Sequence, residues 1–135
     1  MEIREAKPAD IPGIIGLYHD AGWTNYTSHP DMLEAALRQS LKLLTAWDGT
    51  ELVGMIRAVG DAASILYIQD LIVRRDSRRR GIGTSLLRAM DRLYPNVYQK
   101  VLLTDDRPET LAFYEKAGFS NCCLRGCAAM MKMNR

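Results

Sequence analysis

The clearest chemistry in the chain lies in residues 74–85, which read RRDSRRRGIGTS. Arg74, Arg75, Arg78, Arg79 and Arg80 bring five guanidinium groups within seven residues, and Gly81 and Gly83 follow at once. Arginine offers planar, permanently charged donors that suit phosphate oxygens. Glycine has no Cβ, so an anion can approach its backbone closely. Immediately before this stretch, residues 65–73 read ILYIQDLIV, with seven of nine side chains aliphatic or aromatic. Immediately after it, Ile82, Leu86, Leu87, Met90 and Leu93 recur at helical spacing. A basic, glycine-bearing turn between a buried strand and a helix N-terminus is an anion-binding design. The first amides of a helix have no intrahelical acceptor, and the helix dipole favours negative charge there. The stretch lacks the G-x-x-x-x-G-K-[ST] of a P-loop. It also departs from the dinucleotide fingerprint, because Leu86 stands where a third glycine belongs.

The elements around this turn follow from pattern and punctuation. Residues 3–6 read as a short strand. Asp10 can cap a helix carrying Ile11, Ile14, Ile15 and Tyr18, which Ala21-Gly22 ends. Residues 23–30, WTNYTSHP, read as an aromatic and polar loop, and residues 31–40 as a second helix. A strand over 41–47, a turn at Asp48-Gly49 and a return strand over 52–59 form a hairpin. The strand at 65–73, the helix at 82–93 and a strand over 97–104 come next. A helix from about residue 105 to Lys116 follows, with Gly118 as its C-cap. Two strands, over 119–124 and 127–133, close the chain around Arg125-Gly126. The order is β-α-α-β-β-β-α-β-α-β-β. It predicts an α/β chain with a mixed sheet: strands 2 to 4 an antiparallel meander, strand 5 parallel to strand 4, and helices on both faces. Residues 1–135 read as a single domain with one core. Alternation along strand 4 puts Tyr67, Gln69, Leu71 and Val73 on one face, and Leu66, Ile68, Asp70 and Ile72 on the other.

Composition bounds the function classes. The chain is 47% apolar and 25% charged with a net charge of +2, so overall charge does not point to nucleic acid. Its apolar runs are too short to span a membrane, and the N-terminus lacks a signal-peptide pattern. Cys122, Cys123 and Cys127 are odd in number and clustered late, which fits free thiols in a cytoplasmic protein. The cysteine spacing does not suit zinc and the histidines stand far away, so no metal is expected.

Two motifs carry a family resemblance. Arg78-Arg79-Arg80-Gly81-Ile82-Gly83 resembles the R/Q-x-x-G-x-G/A signature of the GCN5-related N-acetyltransferases (GNAT). Leu111-Ala112-Phe113-Tyr114-Glu115-Lys116-Ala117-Gly118-Phe119 is similar to the A-x-x-F-Y-x-K-x-G-F segment of the same family. The order of elements matches across essentially the whole chain. The resemblance implies transfer of acetyl from acetyl-coenzyme A directly to a primary amine of a small molecule or peptide. It implies that the backbone at Leu71, Ile72 and Val73 pairs with the pantetheine arm. The turn of Arg78, Arg79, Arg80, Gly81, Ile82, Gly83 and Thr84 would hold the pyrophosphate. Tyr114 would protonate the leaving thiolate, with ring packing in a core as its alternative. The chain departs from the family at Arg107, where an asparagine that contacts coenzyme is common, and at Thr110, where alanine is common. Arg107 could reach a coenzyme phosphate or stand solvated at a helix start.

The sequence does not single out one base. Family members often place carboxylates or histidines at the positions of Tyr67 and Gln69, and neither residue here is a base. Asp70 is the one carboxylate in the strand. A bulge, frequent at this strand in the family, could rotate it inward, and a structural hydrogen-bond acceptor is its other reading. Trp23 and Tyr26, with His29, sit in the loop that borders the acceptor in this family. Tyr67 and Gln69 complete the candidate acceptor lining. Packing within the core or between two copies in a homodimer is the alternative for the loop aromatics. Besides catalysis, the residues allow an acyl-coenzyme A-binding module without turnover. A nucleic-acid patch built on the arginines is the third reading, weakened by the lack of interleaved aromatics.

Overall fold

A computed structural model of the chain describes residues 1–134. It divides into two compact units, Met1–Leu102 and a second beginning at Leu103.

The first unit holds a five-stranded sheet in the order β1-β2-β3-β4-β5. The strands are β1 (Glu2–Glu5), β2 (Lys42–Asp48), β3 (Glu51–Gly60), β4 (Ile65–Val73) and β5 (Gln99–Leu102). Strands β1 to β4 pair antiparallel, and β4 pairs parallel with β5 after the crossover helix α4 (Ile82–Leu93). The mixed sheet is therefore as the sequence predicts. Helices α1 (Ile11–Ala21), α2 (Thr24–Thr27) and α3 (Pro30–Arg38) precede the meander. The loop expected at 23–30 thus contains one helical turn, in which the Trp23 carbonyl accepts from the amides of Tyr26 and Thr27.

The two faces of the sheet are covered differently. Ile11, Ile14, Leu17 and Tyr18 of α1 and Leu33 and Leu37 of α3 pack with Leu43, Met55 and Ile72. On the other face, α4 lies against Gly54, where a Cβ would come within 3.1 Å of Ile82 Cγ2 and Leu86 Cδ1. Each of these helices buries one apolar stripe, as its spacing dictates.

The second unit contains α5 (Pro108–Lys116) and a 3-10 turn at Cys122–Arg125. The two terminal strands expected over 119–124 and 127–133 are absent among the described residues. Asn121 takes its own local role instead, its side chain accepting from the Cys123 amide. Gly126, at φ +74, ends a helical turn rather than joining two strands. Local side-chain bonds of this kind compete with ladder formation.

Candidate active site

A register shift in β4 organises the first half of the site. Arg57 pairs with Asp70, but Ala58 pairs with Ile68, so Gln69 is an extra residue in β4. The bulge breaks the simple alternation. Met55 faces α1, and alternation along β3 puts Arg57 and Val59 on the same side. Their partners Tyr67, Asp70 and Ile72 therefore share the α1 face. Leu66, Ile68, Leu71 and Val73 take the α4 face. The bulge therefore separates Asp70 from Ile68 and Tyr67 from Leu71, pairs that simple alternation along the sequence groups together.

Asp70 is 4% exposed and takes three donors. Tyr18 Oη donates to Oδ2 at 2.7 Å, Arg57 Nε to Oδ2 at 2.9 Å and Tyr26 Oη to Oδ1 at 3.1 Å. Gln69 Nε2 donates to Tyr26 Oη at 3.1 Å, which links the exposed bulge residue to the buried pair. Both carboxylate oxygens are thus engaged by protein groups, and an incoming ammonium would have to displace one of them. Burial, then the Asp70 charge, pushes the Tyr18 phenol far above its ordinary range. Burial raises Tyr26 as well. For Arg57, burial opposes the charge, but the charge and hydrogen bond of Asp70 outweigh it and keep the guanidinium above its ordinary value. Arg57 is the residue that sequence reading passed over. Its signal was visible as the single charge inside the apolar run LVGMIRAVG.

The aromatics gather over this network. Gly22, at φ +74, closes α1 and turns the chain so that the Trp23 amide donates to the Tyr18 carbonyl at 3.2 Å. The rings of Tyr18 and Tyr26 lie 5.1 Å apart, and those of Trp23 and Tyr26 6.3 Å apart. His29 sits at the exposed start of α3. Trp23, Tyr26, Gln69 and Asp70 are thus brought together, with Tyr67 on the same face of β4.

Among the described residues, no strand pairs with β4 beyond Ile68 on its β5 side, since β5 ends opposite it at Leu102. The backbone at Leu71, Ile72 and Val73 therefore forms an open sheet edge on that side, able to accept an extended ligand as an added strand. This edge runs into the basic turn. Asp20 of α1 anchors the turn by accepting from the Arg75 amide at 2.9 Å, and buried Ser77 fixes its middle. Arg79 and Gly81 then take positive φ angles of 67° and 76°. The first amide to donate within α4 is that of Ser85, to Gly81. Those of Ile82, Gly83 and Thr84 precede it and have no carbonyl of the helix to donate to.

The five arginines separate by role. Arg74 pairs with Asp76, Arg80 reaches Asp48 at 3.0 Å, and Arg75 bonds the Ala21 carbonyl. Arg78 and Arg79 have no ion pair among the described residues, and Arg78 Nε donates to the Val73 carbonyl at 3.4 Å. A Cβ built on Gly81 would meet nothing within 4 Å, so the space in front of the helix start is open. The turn is thus cationic, and its helix-start amides lack helical acceptors.

In the second unit, Tyr114 stacks edge-on against Phe113 and Phe119, with ring centroids 5.0 and 6.0 Å away. Burial, then the charge of Asp105, raises its phenol above the ordinary value, so it keeps its proton at neutral pH. Arg107 caps the backbone at the start of α5 while its exposed side chain lies 3.6 Å from Glu109. No group of three or more histidine, cysteine or acidic side chains suited to a metal occurs among the described residues. None of their helices is long and apolar enough to cross a membrane.

Comparison with known proteins accords with this arrangement. A family model described as an acetyltransferase (GNAT) domain matches residues 6–133. A GNAT-family acetyltransferase structure from Streptococcus pneumoniae is 35% identical, covers 99% of this chain and 98% of its own, and superposes with a TM-score of 0.89. A structure described as a transcriptional regulator from Bacillus halodurans is 25% identical over 99% of both chains, with a TM-score of 0.76. An aminoglycoside acetyltransferase from an uncultured soil sample shares the fold at 21% identity, covering 99% of this chain and 97% of its own, with a TM-score of 0.74. No curated protein matches the sequence. The strand edge, the arginine-glycine turn and the family match over nearly the full length agree, and the chain belongs to the GNAT acetyltransferase family.

Proposed function

We propose that the protein is an acetyl-coenzyme A-dependent N-acetyltransferase acting on a primary amine of a small molecule or peptide. The observation that carries this reading is the continuous path from the open β4 edge into the Arg79–Gly81 turn at the start of α4. Acetyl-coenzyme A supplies an activated thioester. Those amides and carbonyls of Leu71, Ile72 and Val73 that do not pair with β3 hold its extended arm. The amides of Ile82, Gly83 and Thr84, with Arg78 and Arg79, hold its pyrophosphate. Arg80 steadies the turn through Asp48, and Arg107 supports α5 rather than the phosphate. A β4 amide polarises the thioester carbonyl. The amine nitrogen attacks that carbonyl carbon, the carbon–sulfur bond breaks, and the departing sulfur takes a proton, with Tyr114 as the donor that the family resemblance implies and water returning a proton to its phenolate. The amine's extra proton goes to water, relayed past Gln69 and Tyr67. Asp70, held by three donors, positions Tyr26 and Gln69 rather than taking that proton itself.

Trp23, Tyr26, Tyr67 and Gln69 form the acceptor wall in this reading, so an amine beside an apolar or aromatic group is favoured. The second reading, a module that binds acyl-coenzyme A without turnover, draws on one observation: the only carboxylate of β4 is already fully engaged. Thiol release from acetyl-coenzyme A across an amine panel separates the two. Acceptor-dependent release supports catalysis. Tight coenzyme binding with no release from any amine supports the binding module.

A further inference from the structure

Three cysteines lie in one short turn, and the turn treats them differently. Cys123 is turned back on Asn121: its thiol donates to Asn121 Oδ1 at 3.0 Å and its amide to the same oxygen at 3.2 Å. The backbones of Cys122 and Cys127 are brought together, and the Cys127 thiol makes only a long contact, 3.9 Å, with the Arg125 carbonyl. Gly126, at φ +74, ends the 3-10 turn, and both its amide and that of Cys127 donate to the Cys122 carbonyl, the latter at 3.1 Å. A six-to-one bond of this kind closes a helix C-terminus and sets the side chains at its two ends against each other. The covalent geometry on either side of that bond limits the two Cα atoms to at most about 7 Å, and any bend at the bond shortens the separation into the range a disulfide requires. Both thiols are free and exposed, so a soluble oxidant reaches them. Neither the acyl transfer proposed above nor its residues uses them.

We propose that Cys122 and Cys127 form a reversible intramolecular disulfide. With a low-molecular-weight disulfide as oxidant, the thiolate of one cysteine attacks, the oxidant's S–S bond breaks and one small thiol leaves. The second cysteine then attacks the protein sulfur of the mixed disulfide, and a second small thiol leaves. The pair loses two electrons to the oxidant, and its two protons go to the two released thiols. Cys123 stays a thiol throughout.

Arg125 makes the test direct, because trypsin cuts between the two partners and leaves residues 117–125 and 126–132 on separate peptides. The full chain is incubated with oxidised glutathione, alkylated, digested without reductant and examined by mass spectrometry. The expected result is a disulfide-linked pair of these peptides in the wild type and in Cys123→Ser, reversed by dithiothreitol. In Cys122→Ser and Cys127→Ser its yield should fall at least tenfold. Mixing isotope-labelled and unlabelled chains should give no mixed pairs. A link that survives Cys122→Ser, a bond between Cys122 and Cys123, mixed pairs between chains, or glutathione retained separately on the cysteines would each overturn the proposal.

Discussion

Replacing Asp70 by Asn tests whether this carboxylate holds the site together or serves as its base. The side chains of Arg57 and Asp70 are 7% and 3% exposed, and their bond is 2.9 Å long. Asparagine keeps the shape. Its oxygen can still accept from Tyr18 and Arg57, and its amide can face Tyr26, whose hydroxyl can accept. What disappears is the charge, which leaves a guanidinium buried without its counter-ion. Breaking a buried pair in this way costs about 3–5 kcal/mol. Because the hydrogen bonds can persist, the lower end applies. For a chain of this size that corresponds to a fall in Tm of roughly 10 °C. Chemical and thermal unfolding of Asp70→Asn give the number. Adding Arg57→Met to Asp70→Asn removes the stranded charge and should restore more than half of the loss. A cost below about 1 kcal/mol, together with abolished turnover, would refute the structural reading and return Asp70 to the role of base.

Tyr114→Phe removes only the hydroxyl and leaves the ring among Phe113 and Phe119. With a good thiolate leaving group, kcat should fall roughly 10- to 100-fold in steady-state assays with little change in coenzyme affinity or Tm. Tyr18, raised by burial and by Asp70, keeps its proton in the folded state beyond the pH near 10.0 at which an unfolded tyrosine loses it. Its contribution to stability is therefore complete below that pH and declines as pH rises above it, since the unfolded chain sheds its proton first. Denaturant midpoints from pH 8 to 11 should drop more steeply for the wild type than for Tyr18→Phe. Parallel curves would mean that Tyr18 does not titrate between the two states.

How much of this was legible in the sequence depended on whether the signal was local. The turn at 78–84 could be read because glycine and arginine stand between a long apolar strand and a periodic helix, and both neighbours were unambiguous. The FYEKAGF segment was equally local, with Gly118 closing α5 as expected. The bulge at Gln69 was not readable as a position. It exists because β3 and β4 pair around a buried Arg57–Asp70 contact between residues distant in sequence, and that register decides which face each side chain takes. Arg57 was overlooked for the same reason: a charge in an apolar strand has meaning only once its partner is found. The final strands were expected from alternating apolar residues, but Asn121 and Gly126 satisfy that backbone locally, and no ladder forms there among the described residues.

The turn at the start of α4 should hold the coenzyme phosphates, and calorimetric titration of coenzyme A into wild type and Gly81→Val tests this most directly. Gly81 stands at φ +76 with open space where a Cβ would project, so valine both strains the backbone and fills the phosphate position. Measurable binding to the wild type and its loss in the variant are expected, with cooperative unfolding retained as evidence that the variant is folded. Equal affinity in the two proteins would contradict it.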